Sequence, residues 1–249
     1  MKVLVKQMEI IKIAHLYYDL MNLYGEHGNV LGLTKGLEEH GVKVITHYYS
    51  VGEEIPLKDY DLIYIGSGNR QDFELALQDL MKRKEELKSF YESNKFFLIT
   101  GNAIDFFGKC YHRLDNTEME TLGFFDYEAY ETDFRIVGEQ VYSLEGIDEV
   151  IGFENRNSVL KRVNEKPLFQ VKQGTGYAPN STSEGIFMNH FIGTYLLGPI
   201  LIRNPHFKEY IISLLLSYKK IPYKEYINEL ELKAYQEYRK NLLNETEKS

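Results

Sequence analysis

Short, mostly apolar runs recur along the first 108 residues, separated by polar and helical stretches. Four of these runs predict buried strands, at residues 10–16, 42–49, 61–65 and 96–100. Their length and apolar character are typical of strands that are covered on both faces of a parallel sheet. The chain therefore begins with the pattern of a doubly wound α/β fold.

Apolar residues at helical spacing fill the gaps between these strands. Val30, Leu33 and Leu37 share one helical face, and Gly41 ends that helix. A longer helix is predicted over residues 72–93. Because strands and helices alternate, we expect three layers: a central, mainly parallel sheet with helices on both faces.

Two of the predicted strands end in glycine-containing loops. Gly66-Ser67-Gly68 follows the third strand, and residues 96–100, FFLIT, run directly into Gly101 and a short helix toward Gly108. A strand, a sharp turn and a helix in succession are typical of a nucleophile elbow. Since binding groups of α/β proteins lie where strands end, we expect the site at this edge of the sheet.

The pattern changes after residue 120. Residues 124–172 hold short aromatic and β-branched runs that predict extra strands extending the sheet, and residues 186–196 predict another core strand. A helix is expected over residues 207–218 and a last one from near Pro222. With no repeat or linker, residues 1–249 are interpreted as one domain with a helical extension at 222–249, which either covers the domain's own core or docks a partner.

Composition narrows the function classes. A net charge of -8 disfavours nucleic acid and anionic membrane surfaces as partners. One cysteine excludes an internal disulfide and a cysteine-based zinc cluster. Residues 1–10 are not typical of a secretory signal, and the longest apolar stretch, 191–202, is too short to span a bilayer. We expect a cytoplasmic protein.

Four stretches together carry a resemblance to a known family. They are HLYYDLMNLYGEHGN at 15–29, LITGNAIDFFG at 98–108, GFEN at 152–155 and EGIFMNHFIGTYLLGP at 184–199. The chain resembles class I glutamine amidotransferases of the CobB/CobQ type, in particular the GatD-type glutaminase subunit of lipid II isoglutaminyl synthase, over roughly residues 10–215. The resemblance implies a class I amidotransferase fold with a flavodoxin-like core and a role in peptidoglycan biosynthesis.

Both catalytic positions depart from the family pattern. In the family a cysteine precedes a glycine at the elbow, and the corresponding residues here are interpreted as Thr100 and Gly101. The family's histidine stands in G-T-Y-L-H-G-P, where this chain has Leu197. A threonine hydroxyl needs an adjacent base to become a nucleophile, and a leucine cannot be that base. The sequence therefore predicts a glutaminase-like chain without glutaminase activity.

Other parts of the implied pocket are retained. The resemblance implies that Gly66, Ser67 and Gly68 form the loop whose N–H groups face the developing oxyanion, with Gly101 beside it, while a plain strand-to-helix turn is the alternative. It also implies that Arg135 holds the α-carboxylate of glutamine, the alternative being a surface ion pair. No cofactor is implied.

The remaining thiol and imidazole groups predict no further site. Cys110 is interpreted as a packed or surface thiol and His190 as a sheet histidine. The other histidines lack the paired spacing of a metal site on one helix or strand; they are His15, His27, His40, His47, His112 and His206. The sequence therefore predicts no metal.

Three functions remain open at this point. The first is a degenerate amidotransferase subunit that binds or regulates a partner, for which the resemblance implies a Mur-ligase-like, MurT-type synthetase. The second is a working glutaminase that supplies ammonia to such a partner through unorthodox groups. The third is a sensor that binds glutamine or a related amino acid in the retained pocket. Fold alone does not choose among them.

Overall fold

The computed structural model of the chain describes residues 9–147 and 149–246. The expectations about residues 1–8, and about the last three residues of the predicted extension, lie outside this range. No helix within the described ranges has the length and apolar character needed to cross a membrane.

The central sheet has six strands. In chain order they are β1 (Ile10–Leu16), β2 (Lys43–Tyr49), β3 (Leu62–Ile65) and β4 (Phe96–Thr100), with β11 (Ile186–Met188) and β12 (Phe191–Thr194) near the end. The spatial order is β11-β12-β4-β3-β1-β2, and only β11 is antiparallel to its neighbour. The mainly parallel sheet predicted from the apolar runs is confirmed.

Helices cover both faces of this sheet. The face with Ile11, Ile13 and Leu98 packs against α1 (His27–Glu39), α4 (Ile200–Arg203) and α5 (Pro205–Tyr218). The opposite face packs against α2 (Arg70–Met81), α3 (Lys84–Glu92) and a 3₁₀ helix at Gly101–Phe107. The three layers follow from the two apolar sides that each buried strand presents.

The single helix predicted over 72–93 is two helices. The break falls at Lys82 and Arg83, whose side chains both return to the Asp79 carboxylate. Arg83 also donates a 2.6 Å hydrogen bond to the carbonyl of Glu53. These contacts hold Arg83 against the neighbouring loop at the break between the two helices.

The strands between residues 110 and 184 form a second sheet, so the prediction that the runs at 124–172 extend the first was wrong. They are β5 (Cys110–His112), β6 (Glu118–Glu120), β7 (Glu128–Ser143), β8 (Val150–Lys161), β9 (Phe169–Gln173) and β10 (Ser183–Glu184). The order is β10-β9-β7-β5-β6, with β8 on β7. The β11–β12 hairpin already occupies the edge next to β4, which leaves these strands to pair with one another.

That hairpin also replaces the single strand predicted over 186–196. The chain reverses at Asn189 and His190, which have φ values of 45° and 70°. His190 is therefore a turn residue and not a sheet residue. Its ring stacks on Phe96, and its Nδ1 lies 2.6 Å from the carbonyl oxygen of Asn94.

The last helix covers the chain's own second sheet. It is α6 (Glu229–Thr246), which begins seven residues beyond the position predicted from Pro222. Tyr235 and Leu242 pack against Val141 of β7 and Ile151 of β8. Of the two alternatives for this segment, packing on the chain's own core is the one observed.

Candidate functional site

Three loops meet at the carboxyl edge of the parallel sheet. They follow β3 (residues 66–69), β4 (from Gly101) and β12 (Tyr195 to Pro199). The Gly101 N–H donates to the carbonyl of Leu196 at 3.3 Å, and Ser67 Oγ lies 3.0 Å from Asn102 Oδ1. The residues singled out at 66–68, 100, 101 and 197 are therefore neighbours, as the order of parallel strands requires.

The sharp turn after β4 is made by Gly101 and not by Thr100. Gly101 has φ +62°, whereas Thr100 keeps the extended geometry of its strand with φ −123°. A nucleophile elbow places its nucleophile on the strained residue of the turn. By this backbone criterion, position 101 is the elbow position.

Thr100 points away from the loops at this edge. Its side chain is fully buried on the α1 side of the sheet, where its Oγ1 donates a 2.5 Å hydrogen bond to Glu26 Oε2 and lies 2.8 Å from the Tyr64 hydroxyl. A hydroxyl enclosed in this way is inaccessible to a substrate amide.

Glu26 connects the Thr100 side chain to the loop of Leu197. One carboxylate oxygen accepts from Thr100 and from Tyr64, and the other accepts from the Gly198 N–H at 2.8 Å. Burial raises the pKa of Glu26, and the hydrogen bonds from Thr100, Gly198 and Tyr64 oppose that rise. These contacts hold the elbow and the 197–199 segment together at a fixed separation.

The space in front of Gly101 is occupied by Ser67 and Leu197. A Cβ built on Gly101 would lie 2.6 Å from Ser67 Oγ, still closer to Ser67 Cβ, and 3.0 Å from Leu197 Cδ2. Both neighbours are almost fully buried. A side chain at position 101 would thus face the residue at the histidine position, but Ser67 leaves it no room.

The Gly66-Ser67-Gly68 loop is held by an amide side chain. Asn102 Oδ1 accepts from the Gly68 N–H at 3.1 Å and from Ser67 Oγ, while its Nδ2 donates to the Gly68 carbonyl at 2.9 Å. The Gly68 N–H, which the resemblance implies would face an oxyanion, therefore already has an acceptor. Glycine is needed at Gly66 because a Cβ there would lie 2.5 Å from Glu26 Cβ and the Met21 carbonyl.

A cleft of about 200 Å³ opens beside this loop, between the two sheets. One wall comes from the loop after β3, from α2 and from the turn after β4, and the other comes from β5, β7 and β8. Its polar lining residues are Ser67, Asn69, Arg70, Glu74, Asn102, Asp105, Arg113, Glu131, Arg135, Asn155, Arg156, Asn157 and Ser158. In the described part of the chain, no histidine, cysteine or lysine lines it.

Arg135 lies on the outer wall of the cleft, at the irregular part of β7 between Glu131 and Ile136. Its Nε and Nη2 both donate to Asn155 Oδ1, at 3.0 and 2.6 Å. The other cleft arginines each have a carboxylate within 4.0 Å, and within the described ranges Arg135 has none. The guanidinium of Arg135 is therefore held in place, and its charge is not neutralised by an ion pair.

Sequence reasoning missed the buried polar groups at the back of the cleft. Arg156 is 4% exposed, bonds Glu154 Oε2 at 2.8 Å and lies 3.9 Å above the Tyr195 ring. Asp105 accepts from Tyr195 at 2.5 Å and from Ser158 at 2.7 Å, and burial raises its pKa to about 6. These buried residues form a hydrogen-bonded floor for the cleft.

Comparison with known families decides how this arrangement is classified. A profile of the CobB/CobQ-like glutamine amidotransferase domain matches residues 12–205, which include all three loops. The chain belongs to this family. The resemblance inferred from the four sequence stretches is thereby confirmed.

Two curated relatives cover almost the whole chain. It is 31% identical over 231 residues to the lipid II isoglutaminyl synthase (glutamine-hydrolyzing) subunit GatD of Staphylococcus aureus (strain N315), with 92% of this chain and 95% of that protein covered. The GatD subunit of Streptococcus pneumoniae (strain ATCC BAA-255 / R6) is 30% identical over 232 residues, with 91% and 86% covered. The chain is therefore a GatD-type amidotransferase subunit.

Solved structures support the fold alone. A glutamine amidotransferase crystal structure superposes with a TM-score of 0.55 at 15% identity, covering 82% of this chain and 98% of the other. The glutaminase domain of Trypanosoma brucei CTPS with bound acivicin gives 0.50 at 13% identity, covering 88% and 98%. The class I amidotransferase-like fold predicted from the sequence is confirmed.

Proposed function

We propose that this chain is a GatD-type subunit that does not hydrolyse glutamine and instead binds or regulates a partner. The observation that carries the proposal is the elbow itself: the strained position holds Gly101, which has no side chain, and the facing position holds Leu197. A nucleophile and a general base are the two groups that amide hydrolysis by this family's chemistry requires. Neither is present.

The elbow position is best taken as Gly101 instead of the Thr100 suggested by the sequence. Three observations support this: the positive φ at 101, the direction toward Leu197 that a Cβ at this position would take, and the burial of Thr100 on the α1 side of the sheet. The conclusion about activity is the same for either residue. The experiment that would restore activity is different.

A working glutaminase that uses Thr100 is disfavoured by access. Both Thr100 and Glu26, its only nearby carboxylate partner among the described residues, are fully buried. In a serine protease whose catalytic triad has been removed residue by residue, loss of the nucleophile or of the base alone costs about 10⁶-fold in turnover. We therefore expect turnover of glutamine at background level.

Two further features favour a lasting loss of activity. Ser67 fills the space beside position 101, and the Gly68 N–H already donates its hydrogen bond to Asn102 Oδ1. Removing a single oxyanion-hole donor typically costs about 10²–10³-fold in turnover. The residues at the elbow, at the base position and in the loop after β3 thus each lower the expected rate of glutamine hydrolysis.

The partner is inferred from the relatives. The curated proteins are named as subunits of lipid II isoglutaminyl synthase, which implies a second subunit. We propose a Mur-ligase-like, MurT-type synthetase as that partner, in peptidoglycan amidation. Because α6 packs on the chain's own sheet, the rim of the cleft is the better docking candidate, and it carries Leu23 with 51% of its surface exposed.

The test is an ammonia-release assay with glutamine, run with and without the partner. The natural chain should release none above background. Activity should appear in Ser67→Gly/Gly101→Cys/Leu197→His, and should rise further by about 10²–10³-fold on adding Asn102→Gly, which frees the Gly68 N–H. The base and nucleophile must be added together because they act as a unit.

The matched control moves the cysteine by one residue. Thr100→Cys/Leu197→His should stay inactive, since a thiol at position 100 would be buried on the α1 side of the sheet next to Glu26. Ammonia release by the natural chain, abolished by Thr100→Ala, would overturn the proposal. Activity in the Thr100→Cys pair but not in the Gly101→Cys set would return the elbow position to Thr100.

Amino-acid binding is a second candidate function, favoured by the unneutralised guanidinium of Arg135 in the cleft. A guanidinium fork pairs well with a carboxylate. The same natural chain is titrated calorimetrically with glutamine, and Arg135→Gln is the comparison. The natural chain should bind glutamine and Arg135→Gln should bind it more weakly. If neither protein gives a heat of binding, the sensor function is excluded and the partner-binding function is unaffected.

A further inference from the structure

A cluster of potential metal ligands lies on the β5–β6 hairpin, outside the amidotransferase site. Cys110 and His112 are two residues apart on β5, so they share one face of the strand. Glu118 lies opposite His112 and Glu120 lies opposite Cys110 on the antiparallel β6. All four side chains therefore project from the same face of the hairpin.

Three of these side chains converge. The Cys110 Sγ, a ring nitrogen of His112 and a carboxylate oxygen of Glu118 lie within 4.8 Å of one another. Within the cluster, His112 Nδ1 lies 3.1 Å from Glu118 Oε1. Ligand atoms around a tetrahedral Zn²⁺, with bonds of about 2.0–2.3 Å, lie roughly 3.3–3.8 Å apart. The Glu118 side chain is exposed, so its carboxylate is free to adjust toward an ion held by Cys110 and His112.

We propose that Cys110, His112 and Glu118 bind a divalent transition-metal ion, with Zn²⁺ the first to test. Thiolate, imidazole and carboxylate are each established ligands of Zn²⁺. The thiolate disfavours Mg²⁺ and Ca²⁺, which prefer all-oxygen sites. Three protein ligands leave the fourth position to water.

The second ring nitrogen of His112 supplies an independent observation. His112 Nε2 lies 3.2 Å from Glu128 Oε2 on β7, and Glu128 is itself held by Tyr130 and Arg162 at 2.6 and 2.7 Å. Histidines that bind a metal usually donate their other ring N–H to a carboxylate, which fixes the ring and strengthens the ligand. Glu128 stands in that relation to His112, so it is a positioning residue.

Binding would release the thiol proton. Burial raises the pKa of Cys110, and the carboxylates of Glu118 and Glu128 raise it further. Coordination forms a metal–sulfur bond and transfers the S–H proton to solvent, so affinity should increase with pH.

The site would lie behind a wall of the cleft. Tyr111, between the two β5 ligands, faces the other way, packs against Phe73 and lines the cleft. Arg113 at the end of the same strand also lines it. A metal ion that ties β5 to β6 would thus stiffen one side of the cleft without entering it.

The experiment uses the tag-free, metal-free chain and exploits its single cysteine. A chromogenic thiol reagent then reports on Cys110 alone. We expect Zn²⁺ to slow labelling at least about 10-fold with one ion per chain, and Co²⁺ to produce a thiolate-to-metal charge-transfer band that Cys110→Ser removes.

Matched carboxylate variants separate coordination from general attraction. Glu118→Gln and Glu120→Gln each remove one negative charge from the same face of β6, but Glu120 is paired with Lys84 Nζ at 3.0 Å. We expect Glu118→Gln and His112→Ala to weaken Zn²⁺ binding strongly, Glu128→Gln by about 10–100-fold, and Glu120→Gln far less. Circular dichroism of each metal-free variant checks folding.

Three outcomes would overturn the proposal. One is labelling of Cys110 that Zn²⁺ leaves unchanged. Another is protection that survives both His112→Ala and Glu118→Gln, which would mean that the thiol alone captures the ion. The last is an equal loss in Glu118→Gln and Glu120→Gln, which would reduce the effect to electrostatic attraction. None of these outcomes bears on glutamine hydrolysis, so the two proposals can fail separately.

Discussion

Gly101 and Ser67 together leave no space for a side chain in front of the turn after β4. Gly101 supplies a left-handed turn that other residues adopt at a cost, and Ser67 fills the space into which a side chain would project. The serine is 2% exposed and contacts Asn102. The pair therefore stabilises a closed elbow, whereas a catalytic one would leave that space to the nucleophile.

This arrangement predicts the cost of a side chain at position 101. Gly101→Ala should lower the free energy of unfolding by about 2–5 kcal/mol, from about 1–2 kcal/mol of backbone strain and about 1–3 kcal/mol of overpacking. Denaturant titration of the purified variants measures it. Adding Ser67→Gly should recover only the overpacking part.

A second glycine provides the control for backbone strain. Gly123 has φ +67°, and a Cβ there would meet nothing within 4 Å. Gly123→Ala should therefore cost about 1–2 kcal/mol, the strain alone. If Gly101→Ala costs no more than Gly123→Ala, or if Ser67→Gly recovers nothing, the steric account of the closed elbow is wrong.

At the scale of elements, Asn204 joins the helical layer to the second sheet. It stands between α4 and α5 and is 2% exposed. Its Oδ1 accepts from the Ile151 N–H at 2.8 Å, and its Nδ2 donates to the carbonyls of Ile151 and Ile200 at 2.7 and 2.9 Å. One side chain thus completes the outer hydrogen bonds of β8.

Loss of this side chain should leave buried backbone groups of Ile151 without partners. Each of the two Ile151 groups costs about 1–3 kcal/mol, so Asn204→Ala should reduce the free energy of unfolding by about 2–6 kcal/mol. Asn157→Ala is the comparison, because Asn157 is half-buried and makes a single 3.5 Å contact with Glu131. Thermal unfolding that shifts equally in both variants would count against a linking role for Asn204.

At the scale of the whole molecule, buried carboxylates hold the two sheets together. Glu184, from β10 of the second sheet, accepts from Thr194 Oγ1 at 2.8 Å and from the Tyr195 N–H at 2.7 Å, at the end of β12. Burial, followed by the nearby charge of Glu154, raises the pKa of Glu184 to about 8 from an ordinary value of 4.5. The folded protein therefore holds this proton more tightly than the unfolded chain does.

The sign of the resulting pH dependence follows from linkage. A raised folded-state pKa contributes stability that is fully present below pH 4.5 and is lost as the pH rises to about 8. Glu184→Gln should remove this loss, so the variant gains stability relative to the natural chain as the pH rises. Denaturant midpoints at about pH 5, 7 and 9 measure the difference.

Glu237→Gln, on an exposed part of α6, is the control and should change the pH profile little. Parallel profiles for the natural chain and Glu184→Gln between about pH 5 and 9 would mean that Glu184 is ionised in the fold at low cost.

The main sheet and its helices could be predicted from the sequence because their signals are local. The apolar runs at β1 and β4 coincide with the observed strands, Ile10–Leu16 and Phe96–Thr100, and the apolar spacing of α1 gives the face that is buried. Burial on both faces of a parallel strand is visible in its composition. The family and the glycine-containing loop after β3 were recoverable for the same reason: each depends on residue type in a short stretch.

What only the tertiary structure decided depends on backbone angles and on contacts between distant segments. Thr100 and Gly101 differ by one position in the sequence, yet the Thr100 side chain is directed to Glu26, whereas a Cβ built on Gly101 would be directed to Ser67 and Leu197. The second sheet and the approach of Cys110 to Glu118 arise from strand pairing, and the burial of Glu26 arises from its contacts with Thr100 and Gly198, which are distant in the sequence. Pairing partners are set by which sheet edges remain open after folding, and no local pattern of apolar and polar residues records that.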